Sequence, residues 1–238
     1  MKNAAAPRKP YTDEELAKLT VDQYLKANFS EDEKIRYKLF LQEKRKSQQI
    51  GIELGRLERE PLMRELTDAG VKVKSLHELK KGTDDFRIAF PILVKHFKMP
   101  YFDELKAAIA AVLANNADES MQALWPTVVE EYHKAAEGFG ICNKGGTNKT
   151  LLQAKTTMAW LLSLIATDAN FEQLIELIED PSLGESRILL LDALKKSKRD
   201  LAKQTIIKLR DDPVFAREIA SWKSRKYQNL TSAKEPTS

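Results

Sequence analysis

The order of apolar and polar residues along this chain is that of a helical protein. From residue 84 to residue 222, apolar residues recur every three or four positions, the spacing that places them on one face of an α-helix. The stretch YFDELKAAIAAVLANN, for example, carries Leu105, Ile109 and Leu113 on one stripe. The short alternating stretch VKVKSL at 71–76 is too brief for a sheet and is predicted as an extended link. The pattern therefore predicts an all-α fold.

Turns divide this region into four predicted helix pairs. The first pair is DDFRIAFPILVKHFKMP with YFDELKAAIAAVLANN, and its first helix is expected to start late or to kink at Pro91. The second joins ESMQALWPTVVEEYHKAAEG to NKTLLQAKTTMAWLLSLIA across the loop FGICNKGGTNK. The third joins NFEQLIELIED to GESRILLLDALKKS, and the fourth joins RDLAKQTIIKLRDD to PVFAREIASW. Such a pair cannot bury its apolar face alone, which predicts stacking on its neighbours.

Helix-start signals are also dense near the N-terminus. Thr12 with Glu15 forms a capping box and predicts a helix through about Leu25. Ser30 with Glu33 forms another and opens a longer helix.

The apolar stripe of that longer helix is thin over residues 31–60. A helix of this kind is marginal unless it packs on something, so it is predicted either to cap the rest of the chain or to bind a partner. PLMRELTDAG then predicts a separate short helix that ends at Gly70.

Two consecutive units repeat at a spacing of 32 residues. Placing Asp180 over Asp212 also places Leu174 over Ile206. In each unit the Asp ends one helix and caps the next, a Pro follows where its missing N–H does no harm, and an apolar run packs inward.

These units resemble the HEAT repeat family. The residues that carry the resemblance are Asp180, Pro181, Arg187, Ala193 and Leu194, and in weaker form Asp212, Pro213 and Arg217. The resemblance covers residues 170–223 and, more loosely, 86–166, and the wider stretch is similar to small HEAT-type proteins of no settled activity. It implies a HEAT-like α-solenoid that binds through its curved helical surface, with polar ladders between the turn Asp and the following Arg. HEAT-type folds also include the alkylpurine DNA glycosylases, so the fold alone leaves catalysis open.

The predicted organisation has four parts. In chain order they are a disordered tail at 1–11, an N-terminal helical extension at 12–60, a HEAT-like helical repeat domain at 61–226 and a disordered tail at 227–238.

Composition narrows the class of protein. With 238 residues and 42% hydrophobic content, the chain can bury a substantial core. The single cysteine, Cys142, excludes an internal disulfide framework and fits a reducing compartment. No apolar signal-peptide region follows the N-terminal basic residues, and no window approaches a membrane span. We therefore expect a cytoplasmic protein that does not contact membranes.

The net charge of +4 gathers at the C-terminal end, where residues 181–238 carry 13 Lys or Arg against 7 Asp or Glu. We call the densest part the basic edge; it comprises Lys195, Lys196, Lys198, Arg199 and Lys203. These residues are interpreted as cations at a helix C-terminus and on a solvated face, or alternatively as contacts for an acidic protein or nucleic acid. The aromatic residues typical of nucleic-acid binders are not interleaved with them, which argues against nucleic acid.

Arg187 is a separate candidate. A cation near a helix N-terminus opposes the helix dipole by about a few tenths of a kcal/mol, so a compensating partner is predicted. Asp180, Glu185 or Asp211 could supply it. This favours a structural ladder over a ligand contact at Arg187.

Catalytic signatures are missing. GICNKGGT at 140–147 nearly has phosphate-loop spacing, but it offers Gly146 where Lys is needed and no strand is predicted before it. Glu130 and His133 have di-iron spacing, but such a site needs two copies and two further Glu. Cys142 has no adjacent base. No cofactor and no metal are expected.

The sequence thus predicts a non-enzymatic protein-binding scaffold or regulatory adaptor that uses the curved surface of a HEAT-like array. The expected partner is a protein, which could be acidic. Two alternatives remain: a nucleic-acid-binding HEAT-like protein, including a DNA glycosylase-like enzyme, and an immunity-type factor that neutralises a partner protein.

Overall fold

The computed structural model describes residues 9–222. These residues form an all-α structure with one pair of two-residue antiparallel strands, in which Phe139 faces Leu151 and Gly140 faces Thr150. The α-helices are α1 Asp13–Lys18, α2 Val21–Lys26, α3 Glu31–Asp68, α4 Asp84–Phe97, α5 Asp103–Asn115, α6 Trp125–Lys134, α7 Ala154–Ile165, α8 Phe171–Glu179, α9 Leu191–Lys196, α10 Asp200–Leu209 and α11 Ala216–Ser221. The strands are β1 Phe139–Gly140 and β2 Thr150–Leu151. Short 3₁₀ helices occupy Leu76–Glu78, Glu119–Leu124, Asp168–Asn170, Pro181–Leu183 and Glu185–Leu190. Of the predicted tails, residues 1–8 and 227–238 lie outside the described part.

The N-terminal capping boxes form as predicted, but the first helix is shorter than expected. Thr12 and Glu15 cap α1 reciprocally, and α1 ends at Lys18. A second capping box, between Thr20 and Gln23, then starts α2. The predicted single helix through Leu25 is wrong because the Thr20 hydroxyl offers the backbone a helix start in the middle of that stretch.

The predicted boundary at residue 60 falls inside α3, which runs through Pro61 without interruption. The separate short helix predicted for PLMRELTDAG is therefore wrong. Leu62 and Leu66, directly after the proline, are fully buried, and this burial offsets the backbone hydrogen bond that Pro61 cannot make. Gly70 ends the helix as predicted, with a φ of +88° that favours glycine.

Two hydrophobic cores share α3. The smaller core is built on Leu16, Phe29 and Tyr37, and the larger contains Leu62 and Leu66 together with the helices that follow. Between the two cores, every residue from 42 to 50 is exposed. We call residues 42–50 the bare segment. A helix that is polar nearly all round and bridges two packed regions matches this arrangement.

The larger core is centred on α7. This helix packs against α5, α6 and the 3₁₀ helix Glu185–Leu190. Leu190 and Ile206 belong to this one core, as the repeat pattern requires. The first predicted pair forms as α4 and α5; α4 starts at Asp84 rather than late and contains Pro91 within it. In the third pair, residues 185–190 adopt a 3₁₀ conformation, where a regular α-helix was predicted.

The two Asp-Pro corners are built alike, but only Asp180 caps the helical segment that follows it, because α11 begins at Ala216 with Phe215 at its N-cap. Asp180 ends α8 and its carboxylate accepts the Ser182 backbone N–H at 2.9 Å. Asp212 follows α10 and accepts the Val214 N–H at 2.8 Å. Because each carboxylate satisfies a backbone donor that no helix bond reaches, each fixes the direction in which the chain leaves the turn.

Candidate functional site

The exposed side of α3 carries aliphatic residues that nothing in the described structure covers. Ile35, Leu39, Ile50 and Leu57 are 58%, 55%, 49% and 44% exposed. They are separated by 4, 15 and 22 residues from Ile35, each close to a whole number of helical turns, so they share one face. We call these four residues the α3 stripe. The opposite face of α3 carries Tyr37 and Leu62, which are buried in the two cores.

Cations flank the α3 stripe. Lys38, Arg45 and Lys46 are exposed, and their side chains make no ion pair or hydrogen bond within residues 9–222. By contrast, Lys34 and Arg36, nearer the start of α3, pair with Glu31 and Asp32. Residues 37–50 of the helix therefore carry positive charge in excess, because Glu43 is their one carboxylate against four cations.

The structure gathers the five residues of the basic edge around the turn between α9 and α10, but it neutralises much of their charge. Lys196 pairs with Asp192 at 2.6 Å, and Lys203 pairs with Asp200 at 2.6 Å. Exposed pairs of this kind are worth about 0–1 kcal/mol each.

The other members of the basic edge differ in their contacts. Lys195 lies over the Trp222 ring at 4.8 Å, and Arg199 lies over the Phe171 ring at 4.8 Å. Arg199 also approaches Asp168, with 3.7 Å between Nε and a carboxylate oxygen. Lys198 is exposed and makes no ion pair within residues 9–222.

Arg187 does not lie with the basic edge at the surface. It is only 3% exposed, and its guanidinium donates to the carbonyls of Ile178 and Gly184 at 2.7 and 2.8 Å. It also lies over the Phe215 ring at 5.0 Å. The predicted carboxylate partner is replaced by carbonyl oxygens and an aromatic face, which together satisfy a buried guanidinium.

Two charged residues that sequence reasoning passed over form a buried ion pair. Lys106 of α5 and Glu131 of α6 have side chains that are 10% and 7% exposed, and the Lys106 ammonium donates to Glu131 and to the Phe97 carbonyl. The other oxygen of Glu131 accepts from Lys134 at 3.0 Å. The Lys134 ammonium also donates to Glu130. The hydrogen bond to Glu130, which has the larger effect, and the one to Glu131 raise the pKa of Lys134.

A signal for this pair was present in the sequence. Lys106 stands three and seven residues before Ile109 and Leu113, so it lies on the apolar stripe of α5. Glu131 stands three residues after Val128 on α6. A charge on an apolar stripe is a sign of a buried partner.

A second polar network lies beside the first. His96 is buried, and its two ring nitrogens lie 2.6 Å from the Tyr101 hydroxyl and 3.0 Å from Glu65. Hydrogen bonds from Lys95 and then from His96 lower the pKa of Glu65. Burial raises the pKa of Tyr101. His96 is thus a hydrogen-bonded core histidine.

A cavity of about 400 Å³ adjoins both networks. It lies between the turn that joins α4 to α5, the end of α6, the β1–β2 hairpin and the start of α7. Tyr101 and five charged residues, Lys98, Asp103, Lys106, Glu131 and Lys134, line it together with Met99, Leu152 and other apolar residues. We call it the polar cavity. A mostly apolar cavity with a few convergent polar groups is the usual form of a small-molecule site.

The loop with near phosphate-loop spacing serves a packing role. The structure does place a strand before it, contrary to expectation, but β1 pairs with β2 and does not lead into a helix. Gly145 has a φ of +75° and packs so closely on Leu54 of α3 that a Cβ would collide with it. The Cys142 carbonyl accepts the Glu104 N–H at 2.8 Å. Gly145 is thus explained by close contact with α3, whereas a Cβ at Gly140 would meet Leu152 and one at Gly146 would meet Asn143.

Two further findings concern metal and membrane. Among residues 9–222, no group of three or more His, Cys, Asp or Glu is placed to hold a metal ion. Over the same range, no helix combines the length and the apolar character that crossing a bilayer requires.

The chain was compared with known protein families, with curated proteins and with solved structures, and it gives no significant match to any of them.

Proposed function

We propose that this chain is a non-enzymatic protein-recognition module whose partner presents an acidic amphipathic helix to α3. The observation that carries the proposal is the α3 stripe, four aliphatic residues on one face with cations beside them. The stripe consists of two exposed pairs, Ile35 with Leu39 and Ile50 with Leu57, and a partner helix would bury both pairs by laying its own apolar face along α3.

The charge of the partner follows from the cations beside the stripe. Lys38, Arg45 and Lys46 have no carboxylate partner within residues 9–222. An acidic helix would supply carboxylates to these cations, and their positive charge would steer it toward α3. A basic helix would meet uncompensated charge of its own sign.

We further propose that residues 61–222, the described part of the predicted repeat domain, form a HEAT-like array that holds α3 in place. In support, α5 packs on α7, and α7 packs on residues 185–196, as the second helices of successive repeats would. The similar corners at Asp180 and Asp212 also support it. The end of α3 then covers the first repeat, because Leu62 and Leu66 are buried in the same core as α5 and α7.

Affinity capture from native lysate tests the proposed function. The full chain is compared with a variant that carries Leu39→Ser and Ile50→Ser, both exposed, and with a matched control that carries Gln42→Ser and Gln49→Ser on the same helix. We expect a protein that the wild type and the control retain and the stripe variant loses. Amine cross-linking should join that protein to Lys38 or Lys46, and salt should weaken its retention.

Two results would overturn this proposal. One is that every captured protein binds the stripe variant as well as the control. The other is that the captured protein contacts α3 through a basic segment or cross-links elsewhere on the chain.

The basic edge supports an alternative function, binding of nucleic acid in place of a protein partner. Lys198 and Arg199 are the members of the edge to change first, because Lys198 makes no ion pair within residues 9–222 and the Arg199–Asp168 contact is long. Retention on duplex DNA that falls steeply with salt, and that Lys198→Gln with Arg199→Gln abolishes, would favour this alternative. No retention at low salt would remove it.

A further inference from the structure

We propose that the polar cavity binds a small neutral molecule that has an apolar body and one hydrogen-bond acceptor, such as a ketone. The proposal is independent of protein recognition by α3. It depends on the balance of charge around the cavity and on which of its polar groups can still form hydrogen bonds.

Positive and negative charges around the polar cavity are equal in number. Three lysines and two carboxylates line it, namely Lys98, Lys106, Lys134, Asp103 and Glu131. The third carboxylate is that of Glu130, which accepts from the Lys134 ammonium at 2.7 Å. The hydrogen bond from Lys134, its charge and the charge of Lys98 lower the pKa of Glu130, so this group is ionised at neutral pH.

Two more carboxylates, Glu58 and Glu65, act electrostatically on Tyr101 in the cavity wall. Glu65 pairs with Lys95 at 2.7 Å. Glu58 accepts the Phe102 N–H at 2.8 Å, at the start of α5, where the helix dipole is positive. These outer charges are therefore compensated as well.

This balance selects a neutral ligand. A carboxylate or an ammonium group brought into the cavity would add a charge for which no counter-charge is free. Burying an unmatched charge costs far more free energy than burying a neutral polar group that is hydrogen-bonded.

The carboxylates that line the cavity are already engaged as acceptors. Asp103 accepts the backbone N–H groups of Gln153 and Ala154 with its two oxygens, at 2.8 and 2.9 Å. Glu131 accepts from Lys106 with one oxygen and from Lys134 with the other. Their charge-assisted hydrogen bonds are thus made within the protein.

The lysines of the cavity retain unused donors. An ammonium group has three N–H bonds, and the structure gives Lys106 and Lys134 two acceptors each. The side chain of Lys98 makes no ion pair or hydrogen bond within residues 9–222. A ligand that only accepts hydrogen bonds, as a ketone does, suits a wall of this kind.

The rest of the wall suits an apolar body. Met99, Ile141, Leu152 and Met158 also line the cavity. Burial of a short alkyl chain against them supplies affinity, and a hydrogen bond from a lysine fixes the polar end. The volume of about 400 Å³ is that of a site for a small molecule.

Calorimetric titration of the full chain at neutral pH with three probes of one chain length tests the proposal. The probes are 2-octanone, octanoate and octylamine, which at this pH are neutral, negative and positive. We expect saturable binding of 2-octanone, with each charged probe weaker by about tenfold because its charge finds no free counter-charge.

Removal of one carboxylate should shift this selectivity. In Glu130→Gln, three lysines face two carboxylates, so octanoate binding should strengthen by about threefold while 2-octanone binding stays the same. The effect is small because Glu130 is exposed to water, which also means that the variant should fold. Glu53→Gln is the matched control, because Glu53 is an exposed glutamate in a helical ion pair and does not line the cavity.

A second variant locates the binding in the cavity. Ala136 is exposed and lines the cavity, so Ala136→Trp should fold and should weaken 2-octanone binding by about tenfold, because the indole takes up part of the space. Ala220→Trp is its control, because Ala220 is an exposed alanine of α11.

Three results would overturn the proposal. The first is that 2-octanone shows no saturable binding up to its solubility limit. The second is that octanoate or octylamine binds the unaltered chain as tightly as 2-octanone does. The third is that Glu130→Gln or Ala136→Trp changes binding no more than its control does.

Discussion

The buried pair between Lys106 and Glu131 predicts an asymmetric response to substitution. In Glu131→Leu, the buried ammonium of Lys106 keeps the Phe97 carbonyl but loses its counter-charge, which should lower the free energy of unfolding by about 3–5 kcal/mol. In Lys106→Met, Glu131 still has Lys134, so the main loss is the hydrogen bond to the Phe97 carbonyl, about 1–3 kcal/mol. That carbonyl lies in the last turn of α4, where no intrahelical N–H reaches it.

The double variant tests whether Lys106 and Glu131 interact. With both charges replaced by apolar side chains, only the unpaired Phe97 carbonyl remains, so Lys106→Met with Glu131→Leu should cost about 1–3 kcal/mol, less than Glu131→Leu alone. Urea unfolding followed by far-ultraviolet circular dichroism at neutral pH gives the three free energies. If the two single effects add to within about 0.5 kcal/mol, the two groups do not interact and the reasoning is wrong.

Three further predictions compare sites of similar chemistry. Leu62→Ala should cost about 2–5 kcal/mol because Leu62 is fully buried, whereas Leu57→Ala on the α3 stripe should change stability by under about 0.5 kcal/mol; similar losses in urea unfolding would contradict the two faces assigned to α3. Gly55→Ala should stabilise the chain by about 0.5–1 kcal/mol because a Cβ there meets open space within a helix, whereas Gly184→Ala should lower the melting temperature because its φ of +74° disfavours a side chain and its Cβ would collide. Hydrogen bonds from Lys95 and His96 lower the pKa of Glu65, so the stability that Glu65 contributes is present above the ordinary pKa of a carboxyl group and is lost as pH falls through the lowered value. Glu65→Gln should therefore flatten this part of the acid dependence of unfolding. An unchanged acid profile would count against the network.

Signals that act within three or four residues were visible in the sequence. The capping boxes at Thr12 and Ser30 and the corner at Asp180 form as predicted, because in each the donor and the acceptor are neighbours along the chain. Features that depend on distant packing were not visible. Pro61 was expected to separate two helices, but burial of Leu62 keeps α3 continuous.

The candidate sites also divide into features that the local sequence pattern indicates and features that depend on distant packing. The exposure of the α3 stripe follows from a thin apolar pattern that was recognised, although the sequence left open whether residues 31–60 pack or bind a partner. For Arg187 a carboxylate partner was expected, but the fold brings the Ile178 carbonyl and the Phe215 ring to it instead, and no short-range pattern encodes the contact with Phe215. The pairing of Lys106 with Glu131 spans 25 residues and depends on how α5 and α6 meet.

The Asp103 carboxylate links α5 directly to the start of α7. It stands at the first residue of α5 and holds the backbone N–H groups at the start of α7, so the position of α7 is set from a neighbouring helix and not by the connection that precedes it. Lengthening the loop at the exposed residues 147–149 should therefore leave the register of α7 unchanged, provided that the contacts of Cys142 with α5 and of Gly145 with α3 are kept.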